Sequence, residues 1–372
     1  MQISALKESS NDENRVALTP DSIKLFQKLG LEVLIEDGAG IDSGYPNKLY
    51  EENGAKIVKR NECLKANICL CVQMPNNDLN NLNENAILIG ILNPYENKKY
   101  FNTLNNKKII SCCMELIPRI SRAQSMDVLS SQANLAGYRS VIDAAEQFGK
   151  AFPMMMTAAG RVNPAKVMVL GVGVAGLQAI ATAKRLGAVV SATDVRSATK
   201  EQVESLGGKF IMVEDEESTN AETEGGYAKE MSDEYKKKQA KLIADTVAKQ
   251  DIVICTALIP GKTAPILISQ EMVESMASGS VVVDLAVESG GNCPLSKLGE
   301  IVDHNGVKVI GYANVPGRVP KDASALYAKN IFNFLSLIIN KEDKKINLNW
   351  EDEIVNAVIL TNEGKLRLDQ FN

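Results

Sequence analysis

The sequence is poor in histidine and in aromatic residues. It has one histidine and one tryptophan in 372 residues, and aromatic residues make up 5% of it. Lysine and arginine number 41 against 46 aspartates and glutamates, and the net charge of −5 gives no support for nucleic-acid binding. No apolar run approaches the roughly 20 residues that cross a bilayer, and the chain starts as a strand rather than as a signal peptide. The composition is otherwise typical of a globular protein with two domains.

The cysteines do not form a recognisable metal site. None has zinc-finger spacing, and only one histidine is available to complete a ligand set. We therefore predict no bound metal and interpret the cysteines as reduced core thiols of a cytosolic protein. They are Cys63, Cys69, Cys71, Cys112, Cys113, Cys255 and Cys293.

A glycine-rich turn is the most informative feature of the sequence. The apolar run from Lys166 ends in Gly171-x-Gly173-x-x-Gly176, and a helix-forming segment begins at once. A second apolar run then ends at Asp194. This order of strand, turn, helix, strand and acid is the dinucleotide fingerprint in its correct context.

Each part of the fingerprint has a physical role. Gly171 permits the tight turn, Gly173 lets the backbone approach a pyrophosphate, and Gly176 lets helix and strand pack closely. The helix N-terminus offers N–H groups to the phosphates. Asp194 can accept hydrogen bonds from a ribose diol and would repel a 2′-phosphate, so the predicted ligand is NAD(H) rather than NADP(H).

Strand and helix patterns alternate along the whole chain, which predicts an α/β fold of two Rossmann-like domains with mostly parallel sheets. We expect the first domain to comprise 1–130 plus 325–372, with the C-terminal tail returning to it. The NAD-binding domain spans 131–324, and a long helix from Ser131 to Phe148 links the two. A polar excursion at about 214–238 contains Gly225, Gly226 and Tyr227, and we interpret it as either a mobile loop that closes over a ligand or a solvated insertion.

The candidate chemistry at the junction of the domains is polar but poor in proton carriers. Arg119, Gln124, Asp127 and Ser130 could orient an amide and a ribose, or they could form a hinge in which Asp127 or Ser130 caps the linking helix. A dehydrogenase that oxidises a hydroxy or amino acid also needs an acid or base at the nicotinamide. The only histidine, His304, lies in a turn sequence between predicted strands, and we expect it to be exposed.

Five further segments carry a resemblance to a known family. Together with the fingerprint, they closely resemble the NAD(H)-binding component, domain I, of proton-translocating nicotinamide nucleotide transhydrogenase, and the resemblance covers essentially the whole chain. The segments are Glu13–Pro20, Ile117–Asp127, Gly225–Met231, Ala257–Lys262 and Asp284–Pro294.

The resemblance implies roles for individual residues. Arg119, Gln124 and Asp127 match the loop that holds the nicotinamide and its ribose, and Tyr227 matches the tyrosine of a mobile loop. Hydride would pass directly from NADH to NADP⁺ on a partner domain, without an acid or base. The remaining residues expected to contact the cofactor are Ser130, Gly171, Gly173, Val174, Ala175, Gly176, Asp194, Val195, Arg196, Gly226 and Leu258.

Alanine dehydrogenase is expected to share the fold and supplies the alternative function. It shares the Glu13–Pro20 opening, but this chain has Gln73 on the strand where that enzyme has a lysine, and no histidine near the strand where it has one. Glu288 stands where it has a catalytic aspartate. We expect membrane subunits and the NADP(H)-binding domain on separate chains, a homodimer, and a cytoplasmic location, peripheral on the inner membrane through these partners. Arg15 would be a relic of substrate binding or simply structural.

Overall fold

The computed structural model describes residues 1–213, 232–258, 261–340 and 342–371. Backbone packing divides the chain into two compact units. The first unit comprises Met1–Gln132 and Pro316–Asn372, and the second comprises Ala133–Val315. In the part of the chain that the structure describes, no helix is both long enough and apolar enough to cross a membrane.

The first unit is built on an eight-stranded sheet in the order β17-β16-β6-β5-β4-β1-β2-β3. The strands β1 to β6 pair in parallel, whereas β16 is antiparallel to both of its neighbours. Most strands are apolar along their length because helices cover both faces of a parallel sheet. The strands are β1 Gln2–Ala5, β2 Glu32–Glu36, β3 Lys56–Val58, β4 Ile68–Gln73, β5 Ile87–Ile91, β6 Ile110–Cys113, β16 Ile359–Asn362 and β17 Lys365–Leu366.

Short helices connect these strands, and one long helix from the C-terminal region completes the core of the first unit. Pro20 opens the first helical turn after Thr19, and Gly30 ends this helical segment with a φ of +81°. The helices are α1 Ile23–Lys28, α2 Asn47–Glu52, α3 Arg60–Cys63, α4 Phe101–Asn106, α10 Pro320–Ile338 and α11 Glu353–Val358. A further helix, α5 (Val128–Gln147), runs from the first unit into the second.

The second unit has a seven-stranded sheet in the order β11-β10-β9-β12-β13-β15-β14. All pairs are parallel except β14 with β15. Without the antiparallel edge strand β14, the six remaining strands follow the 3-2-1-4-5-6 order of a dinucleotide-binding fold. The strands are β9 Lys166–Leu170, β10 Val189–Thr193, β11 Lys209–Phe210, β12 Ile252–Cys255, β13 Val281–Asp284, β14 Ile301–His304 and β15 Val307–Ile310. The helices are α6 Val174–Arg185, α7 Thr199–Ser205, α8 Asp233–Val247 and α9 Gln270–Glu274.

The predicted α/β fold with two mostly parallel sheets is confirmed, and the structure adds two hairpins that the sequence pattern did not indicate. One is the exposed pair β7 (Met155–Thr157) and β8 (Gly160–Val162). The other joins β14 to β15 through Asn305 and Gly306, both of which have positive φ as a two-residue hairpin turn requires. The prediction of an exposed His304 within a turn is wrong, because this residue ends β14 and is partly buried.

Candidate functional site

The glycine turn after β9 is tightly packed at two of its three glycines. Gly171 has a φ of +98°, and a Cβ atom there would lie 2.7 Å from the Thr256 hydroxyl oxygen. A Cβ atom at Gly176 would lie 2.0 Å from the Gly171 carbonyl oxygen. These two positions therefore accept only glycine for reasons of packing, before any ligand is considered.

The third glycine faces open space. Gly173 precedes α6 with φ −81° and ψ −168°, a conformation open to any residue, and no atom lies within 4 Å of a Cβ placed there. The first N–H groups of an α-helix have no acceptor within the helix, and those of α6 start at the exposed Val174 and the partly buried Ala175. An open cradle beside unbonded N–H groups fits the pyrophosphate of a dinucleotide.

Asp194 lies beside this turn, one residue beyond the end of β10. Its carboxylate accepts the Val172 backbone N–H at 2.7 Å, which ties the acid to the glycine turn. The Arg196 backbone N–H and its Nε both donate to Asp194 Oδ1 at 2.9 Å. Burial works to raise the pKa of the Asp194 carboxyl, but the Arg196 and Val172 hydrogen bonds outweigh it and hold the pKa below its usual value. The carboxylate is thus ionised and oriented, and a ribose bound there would share it with Arg196. The residue between them, Val195, is 80% exposed.

Asp194→Ala is expected to weaken NADH binding by about 1–3 kcal/mol, because the ribose loses hydrogen bonds to an ionised acceptor. Titration of the purified chain with NADH measures this change. Asp245→Ala, an exposed substitution on α8 of the same unit, is the matched control and should leave the affinity unchanged. Equal NADH affinity in Asp194→Ala and wild type, or a preference of the wild type for NADPH, would contradict the assignment.

The loop after β12 is fixed against the glycine turn. The Thr256 hydroxyl donates to the Gly171 carbonyl at 2.9 Å. The fully buried Asn292 accepts from the Ala257 N–H at 3.1 Å and donates to the Ala257 and Pro265 carbonyls at 2.9 and 2.7 Å. Leu258 follows directly and is 51% exposed, so this loop presents an apolar side chain that could cover a flat ring.

The Arg–Gln–Asp segment lies in the first unit, between β6 and α5. Arg119 and Gln124 are exposed, and Gln124 belongs to a short 3-10 segment, Ser121–Met126. Asp127 accepts from the Ser130 N–H at 2.9 Å and from the Ser130 hydroxyl at 2.6 Å, so Asp127 caps α5. The capping alternative therefore holds for Asp127.

A buried charge cluster lies in the first unit. Arg15 donates through Nε and Nη2 to the two carboxylate oxygens of Glu13, both at 2.7 Å, and through Nη1 to Gln132 at 2.9 Å. Gln73 donates to Glu13 Oε2 at 3.0 Å. Burial alone would lower the pKa of Arg15, but its bonds to Glu13 reverse the effect and raise it. Nearby, burial raises the pKa of the Glu8 carboxyl to about 8. The sequence did not predict this cluster, because Arg15 and Gln132 are far apart in the chain.

Three other predictions from the sequence concern the mobile loop, the histidine and a metal site. Gly226 and Tyr227 lie outside the described residues, as does most of the excursion at 214–238. His304 Nε2 lies within hydrogen-bond distance of Glu274 Oε1, at 2.9 Å, at the end of β14 in the second unit. Within the described ranges, no group of three or more histidine, cysteine or acidic side chains could hold a metal ion.

The sequence did not predict three residues that position the glycine turn. A Cβ atom at Gly137 would lie 2.0 Å from the Ala175 carbonyl oxygen, so this glycine lets α5 approach the start of α6. Thr256 and Asn292 hold the neighbouring loop as described above. A glycine inside a helical pattern was the one available signal, since such a glycine usually has a packing reason.

Comparisons with known proteins cover nearly the whole chain. The family model described as alanine dehydrogenase/PNT, N-terminal domain, matches residues 4–136, and that described as alanine dehydrogenase/PNT, C-terminal domain, matches residues 140–369. The first of the chains that make up NAD(P) transhydrogenase subunit alpha in Rhodospirillum rubrum is 53% identical over 98% of this chain and 97% of its own length. The crystal structure of a transhydrogenase from Sinorhizobium meliloti superposes with a TM-score of 0.91 at 49% identity, over 98% of this chain and all of that one. Alanine dehydrogenase from Bacillus subtilis is more distant, at 29% identity over 92% of this chain and 86% of its own.

Proposed function

The chain belongs to the alanine dehydrogenase/PNT family, within its NAD(P) transhydrogenase branch, and from this premise we propose that it is the NAD(H)-binding component of a proton-translocating transhydrogenase. The observation that carries the proposal is the full-length match at 53% identity, against 29% for alanine dehydrogenase. The open cradle at Gly173, with ionised Asp194 beside it, supports NAD(H) as the ligand.

The second unit would hold the dinucleotide. The pyrophosphate would bind at the N-terminus of α6, beside Gly173, Val174 and Ala175. Gly173 has no side chain that would occupy the same space. The adenosine ribose would bond to Asp194, next to Val195 and Arg196. Leu258 would cover a ring of the cofactor. NADH supplies the hydride, so this chain needs to bind and orient it rather than to donate a proton.

Residues of the first unit would orient the reactive ring. Gln124 and Arg119 expose amide and guanidinium groups that suit a carboxamide, and Asp127 with Ser130 suits a ribose. Direct transfer requires the two nicotinamide carbons to approach to about 3–3.5 Å, and orientation then supplies the rate enhancement. We also propose that Gly226 and Tyr227 close over the bound cofactor.

The acceptor would be NADP⁺ on a partner domain carried by a separate chain, and membrane subunits would couple the transfer to proton translocation. This places the chain at the cytoplasmic face of the membrane, peripheral through its partners. No metal takes part in this scheme.

A second copy of this chain is the remaining partner that we propose. Three consecutive methionines are exposed at the start of the β7–β8 hairpin, and Met156, in the middle of β7, is 72% exposed. An isolated two-stranded hairpin is marginally stable in water, and exposed apolar patches commonly mark interfaces. A homodimer that covers this hairpin would remove both problems, and the mass of the chain in solution tests it.

Single-turnover transfer from NADH to NADP⁺ on the partner domain tests the function directly. Gln124→Ala is expected to slow transfer about 100-fold, the scale of a misplacement of about 1 Å, while NADH affinity falls by less than about tenfold. His304→Ala is the control and should change neither quantity, because His304 contacts Glu274 and belongs to no part of the proposed site. Turnover of alanine by this chain alone, or a strong loss in His304→Ala, would favour the dehydrogenase instead.

A further inference from the structure

One buried amide from helix α10 holds the segment that carries Gln124 and Asp127 at two points. Asn330 is 7% exposed. Its Nδ2 donates to the Ser125 carbonyl at 2.9 Å, and its Oδ1 accepts the Ser131 hydroxyl at 2.8 Å. Ser125 directly follows Gln124, and Ser131 lies in the first turn of α5, just beyond Asp127. The amide therefore ties the 3-10 segment to the first turn of α5.

Asparagine suits this position because it is a donor at one end of its amide and an acceptor at the other. The carbonyl of Ser125 needs a donor, and the hydroxyl of Ser131 can use an acceptor. Asn330 itself sits on a rigid support, since Ile331 and Phe334 of the same helix are fully buried in the core of the first unit. A side chain fixed by packing can hold a loop far more closely than solvent-exposed contacts can.

The segment has other anchors. The Asp127 N–H donates to the Gln124 carbonyl at 3.3 Å, which holds these two residues relative to each other but does not tie them to α10. Asn333 also donates to the Ser125 carbonyl, at 2.8 Å. Arg122 forms a bidentate pair with Asp352 at 2.7 and 2.9 Å, and its side chain is 49% exposed. Ser131 has a second acceptor in the Val128 carbonyl at 3.1 Å. If Asn330 were removed, both groups that it bridges would thus keep another partner.

We propose that Asn330 is a positioning residue for hydride transfer, which anchors the turn from Gln124 to Asp127 to α10 and to the start of α5 while touching neither substrate nor cofactor. The inference rests on the proposed function, in which these two residues orient the nicotinamide. Its loss would let the segment drift relative to α5. Because a displacement of about 1 Å can cost on the order of 100-fold in rate, transfer would suffer more than affinity.

Asn330→Leu is the sharpest variant, since leucine has nearly the shape of asparagine and makes no hydrogen bonds. Single-turnover transfer should slow by about 10- to 100-fold, with NADH affinity within about threefold of wild type. Ser131→Ala removes the other end of the bridge and should slow transfer in the same way. The double variant should then be no slower than Asn330→Leu alone, because both remove one interaction.

Two comparison variants separate positioning from general destabilisation. Asn333→Leu removes a donor from the same carbonyl but leaves the bridge intact, so its effect should be smaller than that of Asn330→Leu. Asn80→Leu makes the same change at an exposed site of the same unit and should leave the transfer rate at the wild-type value. Urea unfolding of each variant records stability independently.

The outcomes are distinct. Slower transfer at unchanged NADH affinity, with faster amide hydrogen exchange across 121–127, supports the assignment. A wild-type rate in Asn330→Leu, or a fall in stability without a split between rate and affinity, overturns it while the proposed function stands. If the wild-type chain transfers no hydride to NADP⁺ on the partner domain, the proposed function fails and the role of Asn330 fails with it.

Discussion

Arg15→Ala is expected to lower the free energy of unfolding of the first unit by about 3–5 kcal/mol. The side chains of Arg15 and Glu13 are 6% and 0% exposed, and the substitution removes the Arg15 charge from the buried Glu13 carboxylate, which keeps its hydrogen bond from Gln73. Gln132 also loses its bond from Arg15. The cost comes from stranding a charge away from water rather than from the attraction of the pair itself.

The chain offers its own reporter and a matched control for this measurement. Trp350, the only tryptophan, belongs to the same unit, so its fluorescence during urea unfolding follows the affected transition. Arg122→Ala breaks another bidentate pair, with Asp352, but half of the Arg122 side chain is exposed. That variant should lose about 1 kcal/mol or less, because exposed ion pairs contribute little. Similar losses in the two variants would contradict the account.

Gly176→Ala is expected to destabilise the second unit by about 3 kcal/mol or more, at the upper end of overpacking effects. The new methyl group would lie 2.0 Å from the Gly171 carbonyl oxygen, and backbone on both sides of the contact cannot move aside without opening the turn. NADH binding should be lost together with stability. Thermal unfolding followed by circular dichroism, with NADH titration in parallel, measures both quantities.

Gly173→Ala is the informative companion, three residues earlier in the same turn. The backbone conformation of Gly173 is open to alanine and no atom lies within 4 Å of the new methyl group, so stability should change by less than about 1 kcal/mol. The methyl group would instead occupy the space proposed for the pyrophosphate, and NADH affinity should fall about tenfold or more, which is about 1.4 kcal/mol. A stable Gly176→Ala, or undiminished NADH binding by Gly173→Ala, would show that these glycines have other roles.

The sequence predicted most of the parallel strands, because buried parallel strands are continuous apolar runs bounded by turn residues. The run ending at Asp194 and the helix behind Gly173 are examples in which every local signal agrees. The short exposed strands β7 and β8 have no such pattern, since exposed residues carry no periodicity. His304 was misjudged because its turn, Asn305-Gly306, occupies only two residues, and the histidine before it still pairs with β15.

The dinucleotide fingerprint could be predicted because its residues are close in sequence. The residues that pack around it could not be predicted in the same way, because they depend on contacts between distant segments. Asn292 contacts Ala257 because the neighbouring strands β12 and β13 pair, and Arg15 contacts Gln132 across more than a hundred residues. A buried Arg–Glu pair and an ordinary surface pair look alike in sequence, and only packing distinguishes them.

The buried cysteines are natural probes of the unfolding of each unit. Burial raises the pKa of each of the seven thiols, and the thiolate is the form that reacts with alkylating reagents. Five of them, Cys63, Cys69, Cys71, Cys112 and Cys113, belong to the first unit, whereas Cys255 and Cys293 belong to the second. A mass shift of five labels therefore records the opening of one unit, and a shift of two labels records the opening of the other. Mass spectrometry of the alkylated wild-type protein can thus time the opening of each unit separately in one sample.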